Sequence, residues 1–292
     1  MFRDYKKEIA DYEKSIKMWQ KYIDDYELNC SVNIAEIHRV LGLLYRNDEL
    51  KHSSLENWHY DQLLTYYLKA LEKCTTTTSA AANPAEVADL CASIALAYQH
   101  HQDHGDQRAN VLAAIKYQQL RMQHLLKYCS PNDMKIGNTF QRLVTCYMTI
   151  DLWDEAIVNY EKALDIYIYQ NNYNYYDMIH LCEAIVGIYT EQKGENYAAA
   201  IKYQLLKHEF TVKVQNEVVE DDGEDENYSK NFGIAVSHEE VADMYIKLEQ
   251  YDLARKHLIE AKKYCENCDP YHKESSIGHF EEKLRSIEQF FT

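Results

Sequence analysis

Between Asn138 and Tyr169 the chain reads NTFQRLVTCYMTIDLWDEAIVNYEKALDIYIY, and the placing of its large and small apolar residues leaves little choice of structure. Phe140, Leu143 and Tyr147 fall on one face of a helix, a short break follows at Ile150 to Trp153, and Ala156, Tyr160 and Ala163 fall on one face of a second helix. Alanines at 156 and 163 let the two backbones approach closely, while Tyr147 and Tyr160 fill the space above and below them. The result is an antiparallel helix pair.

Composition extends that reading to the whole chain. Only 8 Gly and 3 Pro occur in 292 residues, against 46% hydrophobic residues with Tyr counted among them, so the chain has a long core and few turn formers. An all-α protein is predicted. The three prolines follow capping residues, in Asn83-Pro84, Ser130-Pro131 and Asp269-Pro270, and each pair predicts a helix start. Glu86 adds a capping-box spacing from Asn83.

A formal charge of −16 argues against a broad nucleic-acid or anionic-membrane surface and makes a basic peptide the easier ligand. The N-terminus, MFRDYKKEIADYEK, is charged from its third residue, and no apolar run of about 18 residues occurs. A soluble, cytoplasmic protein is expected. Eight cysteines without a framework spacing are expected to be reduced thiols.

The pair at 138–169 resembles a tetratricopeptide (TPR) repeat, whose first helix carries Leu beside a small residue and then Tyr, and whose second carries Ala, an aromatic and Ala. The same pattern recurs. Leu41-Gly42 and Tyr45 precede Leu63, Tyr67 and Ala70; Ile94-Ala95 and Tyr98 precede Ala113, Tyr117 and Leu120. Ile185-Val186 and Tyr189 precede Ala199, Tyr203 and Leu206; Val241-Ala242 and Tyr245 precede Ala254, Leu258 and Ala261.

The resemblance implies a right-handed superhelical solenoid of about five helix pairs in a single domain. Repeats are predicted at 31–74, 84–129, 131–170, 174–216 and 231–268, with a half repeat at 1–30, an acidic loop at 217–230 and a capping helix at 270–292. The first-helix tyrosines 45, 98, 147, 189 and 245 stand 53, 49, 42 and 56 residues apart, longer than the family's period of roughly 34. That spacing is similar to the long-repeat subgroup typified by kinesin light chains. Ile9, Tyr12, Ile16, Trp19, Ile23 and Tyr26 form an apolar stripe on the first helix, which either packs on the next helix or offers a self-assembly face.

Chemistry-bearing clusters are few. His100 and His104, with Asp103 and Asp106 nearby, could share a helical face and hold a metal, but a solvated loop is the plainer reading. Cys265, Cys268 and His272 lack a fourth ligand, and simple packing accounts for the thiols. The run EVVEDDGEDE at 217–226 holds seven acids and reads as a solvated linker, with the docking of a basic segment as the alternative. No phosphate loop or nucleophile motif is present, so neither a catalytic site nor a cofactor is predicted.

By resemblance, the first helices line a concave groove for a protein or peptide partner. The groove positions are Arg39, Leu43, Arg46 and Asn47, then Ser93 and Leu96, then Asn138, Gln141, Arg142 and Thr145, followed by Glu183, Gly187, Glu191, Glu239, Glu240 and Asp243. One end is basic and the other acidic, complementary to a peptide of opposite polarity, including one with a basic segment. The family's chaperone-tail clamp of Lys, Asn and Arg is matched only by cations, at Arg39 and Arg142. Ordinary ion pairing is the alternative role for these arginines.

Overall fold

The computed structural model describes residues 5–22, 27–46, 53–76, 83–100, 107–170, 174–217, 224–268 and 270–291. Among them the secondary structure is helical throughout: α1 (Tyr5–Gln20), α2 (Glu27–Arg46), α3 (Ser53–Thr76), α4 (Pro84–His100), α5 (Gln107–Leu125) and α6 (Met134–Thr149). Next come α7 (Trp153–Tyr169), α8 (Tyr175–Gly187) with a π-helical extension at Ile188–Gln192, α9 (Tyr197–Glu217), α10 (Glu224–Lys247), α11 (Tyr251–Glu266) and α12 (Pro270–Glu288). The coordinates group into two compact units, Met1–Asn159 and Tyr160–Thr292. In the first, α2 packs on α3, α4 on α5, and α1 on α2; in the second, α8 packs on α9, α10 on α11, and α12 on α11.

Local chemistry sets the helix starts. Asn83 Oδ1 accepts from the Ala85 amide at 3.1 Å and its Nδ2 donates to Glu86 at 3.3 Å, so α4 opens at Pro84 as its capping pattern predicts. Ser130-Pro131 behaves differently. The Asp133 amide donates to the Ser130 carbonyl at 2.9 Å, closing a turn, and Asp133 itself caps α6 by accepting from the Lys135 amide at 2.8 Å. The helix therefore begins three residues later than that proline suggests. α10 begins at Glu224, inside the stretch read as the acidic loop.

The small-residue slots are buried. Ala156, Ala163, Ala254 and Ala261 are all fully buried, and Tyr147 is half-buried against the cluster of Ala95, Ala114 and Leu143. In α5 and α9, however, Ala114 and Ala200 face inward, one position beyond the Ala113 and Ala199 of the sequence reading. The tyrosines that suggested the earlier register stack instead on first-helix tyrosines, Tyr117 on Tyr98 at 5.8 Å and Tyr203 on Tyr189 at 6.1 Å. Runs of two and three alanines allow either alignment, and ring stacking selects the second.

Gly42 fills the small slot of α2, where a Cβ would sit 3.2 Å from Cε2 of Tyr60, so a larger residue requires that buried ring to give way. Gly42→Val is expected to lower the unfolding free energy by about 1–3 kcal/mol through overpacking. A urea titration that finds no loss would show that the Tyr60 ring can move aside.

The N-terminal stripe is spent on α2. Ile16 is buried with Ile34, Leu41 and Leu44, and Ile9, Tyr12 and Trp19 pack around them; Ile23 and Tyr26 lie outside the described residues. At the other end Phe280 and Ile287 of α12 close the cluster that contains Ala254, Leu258, Ala261 and Cys265. The thiols of Cys91 and Cys182 are fully buried and pushed up to about 11 and about 12 by that burial, so they pack as small neutral groups. Cys265 and Cys268 are likewise buried core residues.

Candidate functional site

In the first unit a cleft of about 240 Å³ opens between α2, α3 and α4. Glu36, Arg39 and Leu43 line it from α2, Tyr60, Leu63 and Tyr67 from α3, and Ser93, Leu96 and His100 from α4. Leu43 is exposed, an apolar side chain at the mouth. Below it Glu36 gathers two donors, Arg39 Nε at 2.8 Å and the Tyr67 hydroxyl. Burial first and the Glu36 carboxylate second hold the Tyr67 phenol well above its ordinary value, so it stays a donor.

Arg46 is committed to the scaffold. Its Nε donates to Glu56 at 2.6 Å, its Nη2 to the His100 carbonyl at 3.0 Å, and its guanidinium lies over the Tyr60 ring at 5.6 Å. The Glu56 side chain is only 6% exposed, so this pair ties α2, α3 and α4 together. Asn47 lies outside the described residues, as do His101 to Asp106 of the histidine cluster. Among the described residues no group of three or more His, Cys, Asp or Glu side chains is arranged to hold a metal ion.

On α6, Asn138, Arg142 and Thr145 are exposed and Gln141 is half-buried. The Thr145 hydroxyl donates to the Gln141 carbonyl at 3.3 Å. Arg142 has no ion pair among the described residues.

The acidic positions of the second unit are largely neutralised by lysines from other helices. Glu183 accepts from Lys207 at 3.3 Å and lies 3.6 Å from His180. Glu239 accepts from Lys283 and from His279, each at 2.6 Å, and Lys283 also reaches Asp243 at 2.7 Å. Burial alone would raise the Glu239 carboxyl, but the hydrogen bonds and charges of Lys283 and His279 prevail and hold it below the usual carboxylate range. The two acids that face α12 are thus already engaged by its cations.

Side chains that the groove reading passed over lie on the second helices. Gln118 is fully buried and Gln204 is 4% exposed, while Arg121 and Lys207 stand one turn further along the same faces. An imidazole pair also recurs: His38 and His59 approach at 2.8 Å between Nδ1 atoms, and His238 and His257 at 3.0 Å. Each pair is placed alike, the first histidine seven residues before Tyr45 or Tyr245 and the second against that tyrosine's ring. The recurring seven-residue interval was visible in the sequence, but the partner histidine was not.

No protein-family model matches the chain, and no curated protein sequence matches it significantly. Solved structures do. The crystal structure of BtubC (BKLC) from P. vanneervenii superimposes with a TM-score of 0.51 at 11% identity, covering 90% of this chain and 91% of that one. A Podosopora anserina putative kinesin light chain with nearly identical TPR-like repeats gives 0.46 at 13% identity, covering 80% and 95%. The apo form of RapI gives 0.44 at 18% identity, covering 95% and 71%. Among the described residues no helix is long and apolar enough to cross a membrane. With adjacent helices packed in pairs and small residues buried where they meet, the chain is a helical repeat protein of the TPR-like fold.

Proposed function

We propose that the chain is a non-catalytic adaptor that binds a segment of a protein partner through first-helix side chains, with the α2–α4 cleft as an anchoring pocket. The observation that carries this reading is the cleft itself: an exposed apolar side chain, Leu43, beside a preorganised polar floor of Glu36, Arg39 and Tyr67. A fixed floor costs little ordering on binding, and an apolar rim supplies the burial that favours an anchor residue. Arg39 keeps part of its guanidinium available, its side chain being 40% exposed even while paired with Glu36.

The test uses a displayed random-peptide library panned on the full chain, with the enriched peptides resynthesised and titrated. Leu43→Glu is expected to weaken them by about tenfold or more. Leu112→Glu, at an exposed position on α5, is expected to leave them unchanged. Equal binding to both variants would place the interaction elsewhere and sink the proposal.

A further inference from the structure

The second unit contains a self-contained ion network that has a counterpart in the first unit with its acids removed. On α9, Ala200, Gln204 and Lys207 face inward; Gln204 Nε2 donates to Glu240 at 3.1 Å, and Lys207 Nζ donates to Glu240 at 3.1 Å and to Glu183 at 3.3 Å. On α5 the same spacing gives Ala114, Gln118 and Arg121. The flanking helices align as well. Arg142 precedes Leu143-Val144 as Glu240 precedes Val241-Ala242, and Ala92 follows Cys91 as Glu183 follows Cys182. Both carboxylates are therefore missing from the first unit, one replaced by a methyl group and the other by a second cation.

The donors they would have served remain. Among the described residues, Gln118 is fully buried with both amide atoms unpartnered, and Arg121 has buried Nε and Nη1 atoms that meet no acceptor. Buried polar groups are ordinarily satisfied, and a charged one most of all. Burial first and the nearby Arg142 second depress the Arg121 guanidinium, while Asp89, Tyr128 and Cys91 act on it weakly in the opposite sense. Among the described residues neither Arg121 nor Arg142 forms an ion pair.

We propose that Gln118, Arg121 and Arg142 form a binding site for the carboxylate of a glutamate or aspartate in a partner's acidic segment. The second unit shows what this geometry accepts, since Glu240 occupies the corresponding place there. The site draws on a second helix, α5, as well as on α6. Its carboxylate would arrive from a partner, and in that respect the assignment rests on the adaptor reading above.

Two measurements test it. Arg142→Glu rebuilds the Glu240 arrangement inside the first unit, so its melting temperature is expected to rise by about 3–6 °C; a fall or no change overturns the proposal. Second, a capped peptide of four glutamates is titrated against its four-glutamine counterpart in low salt. The wild-type chain is expected to bind the glutamate peptide at least about tenfold more tightly, and Arg142→Gln and Arg142→Glu are each expected to abolish that preference. Equal binding of the two peptides, or displacement of the glutamate peptide by inorganic phosphate at equal concentration, overturns the carboxylate assignment. Library peptides that respond to Leu43→Glu but not to Arg142→Glu would refute this site and leave the adaptor reading standing.

Discussion

Replacing Leu258 by alanine is expected to lower the unfolding free energy by about 2–5 kcal/mol, the range for large-to-small changes at sites that cannot collapse. Leu258 is fully buried on α11, between Ala254 and Ala261 along its own helix and beneath Phe280 and Ile287 of α12. Those alanines have no side-chain length with which to follow the lost atoms, and their own burial depends on helix backbones already in contact. Phe280 and Ile287 are 2% exposed and held by their own helix, so a cavity would persist. Because stability in repeat proteins is mainly a sum of nearest-neighbour interfaces, the loss should fall on the interface of α10, α11 and α12. Guanidinium unfolding of Leu258→Ala, with Leu258→Met as the volume-conserving control, checks it. A loss below about 1 kcal/mol in the alanine variant would mean that the cap helix can settle into the gap.

Acidification should be the second large effect, with its midpoint above that of ordinary carboxylate titration. Burial, with help from His59, pushes His38 down to about 4; burial pushes His59 to about 4; and burial with His208 and His257 pushes His238 to about 4. His208 and His257 are lowered as well, both chiefly by burial, with Glu260 opposing the shift at His257. Within each pair, one neutral imidazole donates to the other, and a second proton would set two donors face to face.

An imidazole whose folded value lies below its unfolded 6.5 takes up its proton more readily in the unfolded chain. The penalty to folding is therefore absent above pH 6.5, grows as pH falls, and is complete below about pH 4. Glu239 acts in a lower window, since a depressed carboxyl keeps its contribution above pH 4.5 and loses it only as pH drops through the lowered value. Between pH 7 and pH 4.5 the melting temperature is expected to fall by about 5–10 °C. The double variant His59→Gln, His257→Gln should show a flatter dependence over that interval, whatever its melting temperature at pH 7. An unchanged slope would assign the acid response to other groups.

The sequence by itself determined most of the helices and the pairing of α2 with α3, α4 with α5, α8 with α9 and α10 with α11, because three- and four-residue spacings are properties of one helix and its nearest neighbour. It also placed α4 and α12 at their prolines. Tertiary structure decided which way the second helices turn. A shift of one residue rotates a helix face by about 100°, and alanine runs at 113–114 and 198–200 fit either choice, so the inward positions of Gln118, Arg121, Gln204 and Lys207 emerge only when the tyrosines find their stacking partners. The roles of the charges were settled in the same way. Arg39 and Arg142 look alike in sequence, yet one is paired with Glu36 and the other has no ion-pair partner among the described residues, while Glu239 and Asp243 are met by a lysine 44 and 40 residues further on in the chain. The Glu36–Arg39 pair is a three-residue spacing within α2 that periodicity can suggest, whereas the pairing of Glu239 and Asp243 with Lys283 depends on distances of a few ångströms between helices, which periodicity along one helix does not encode.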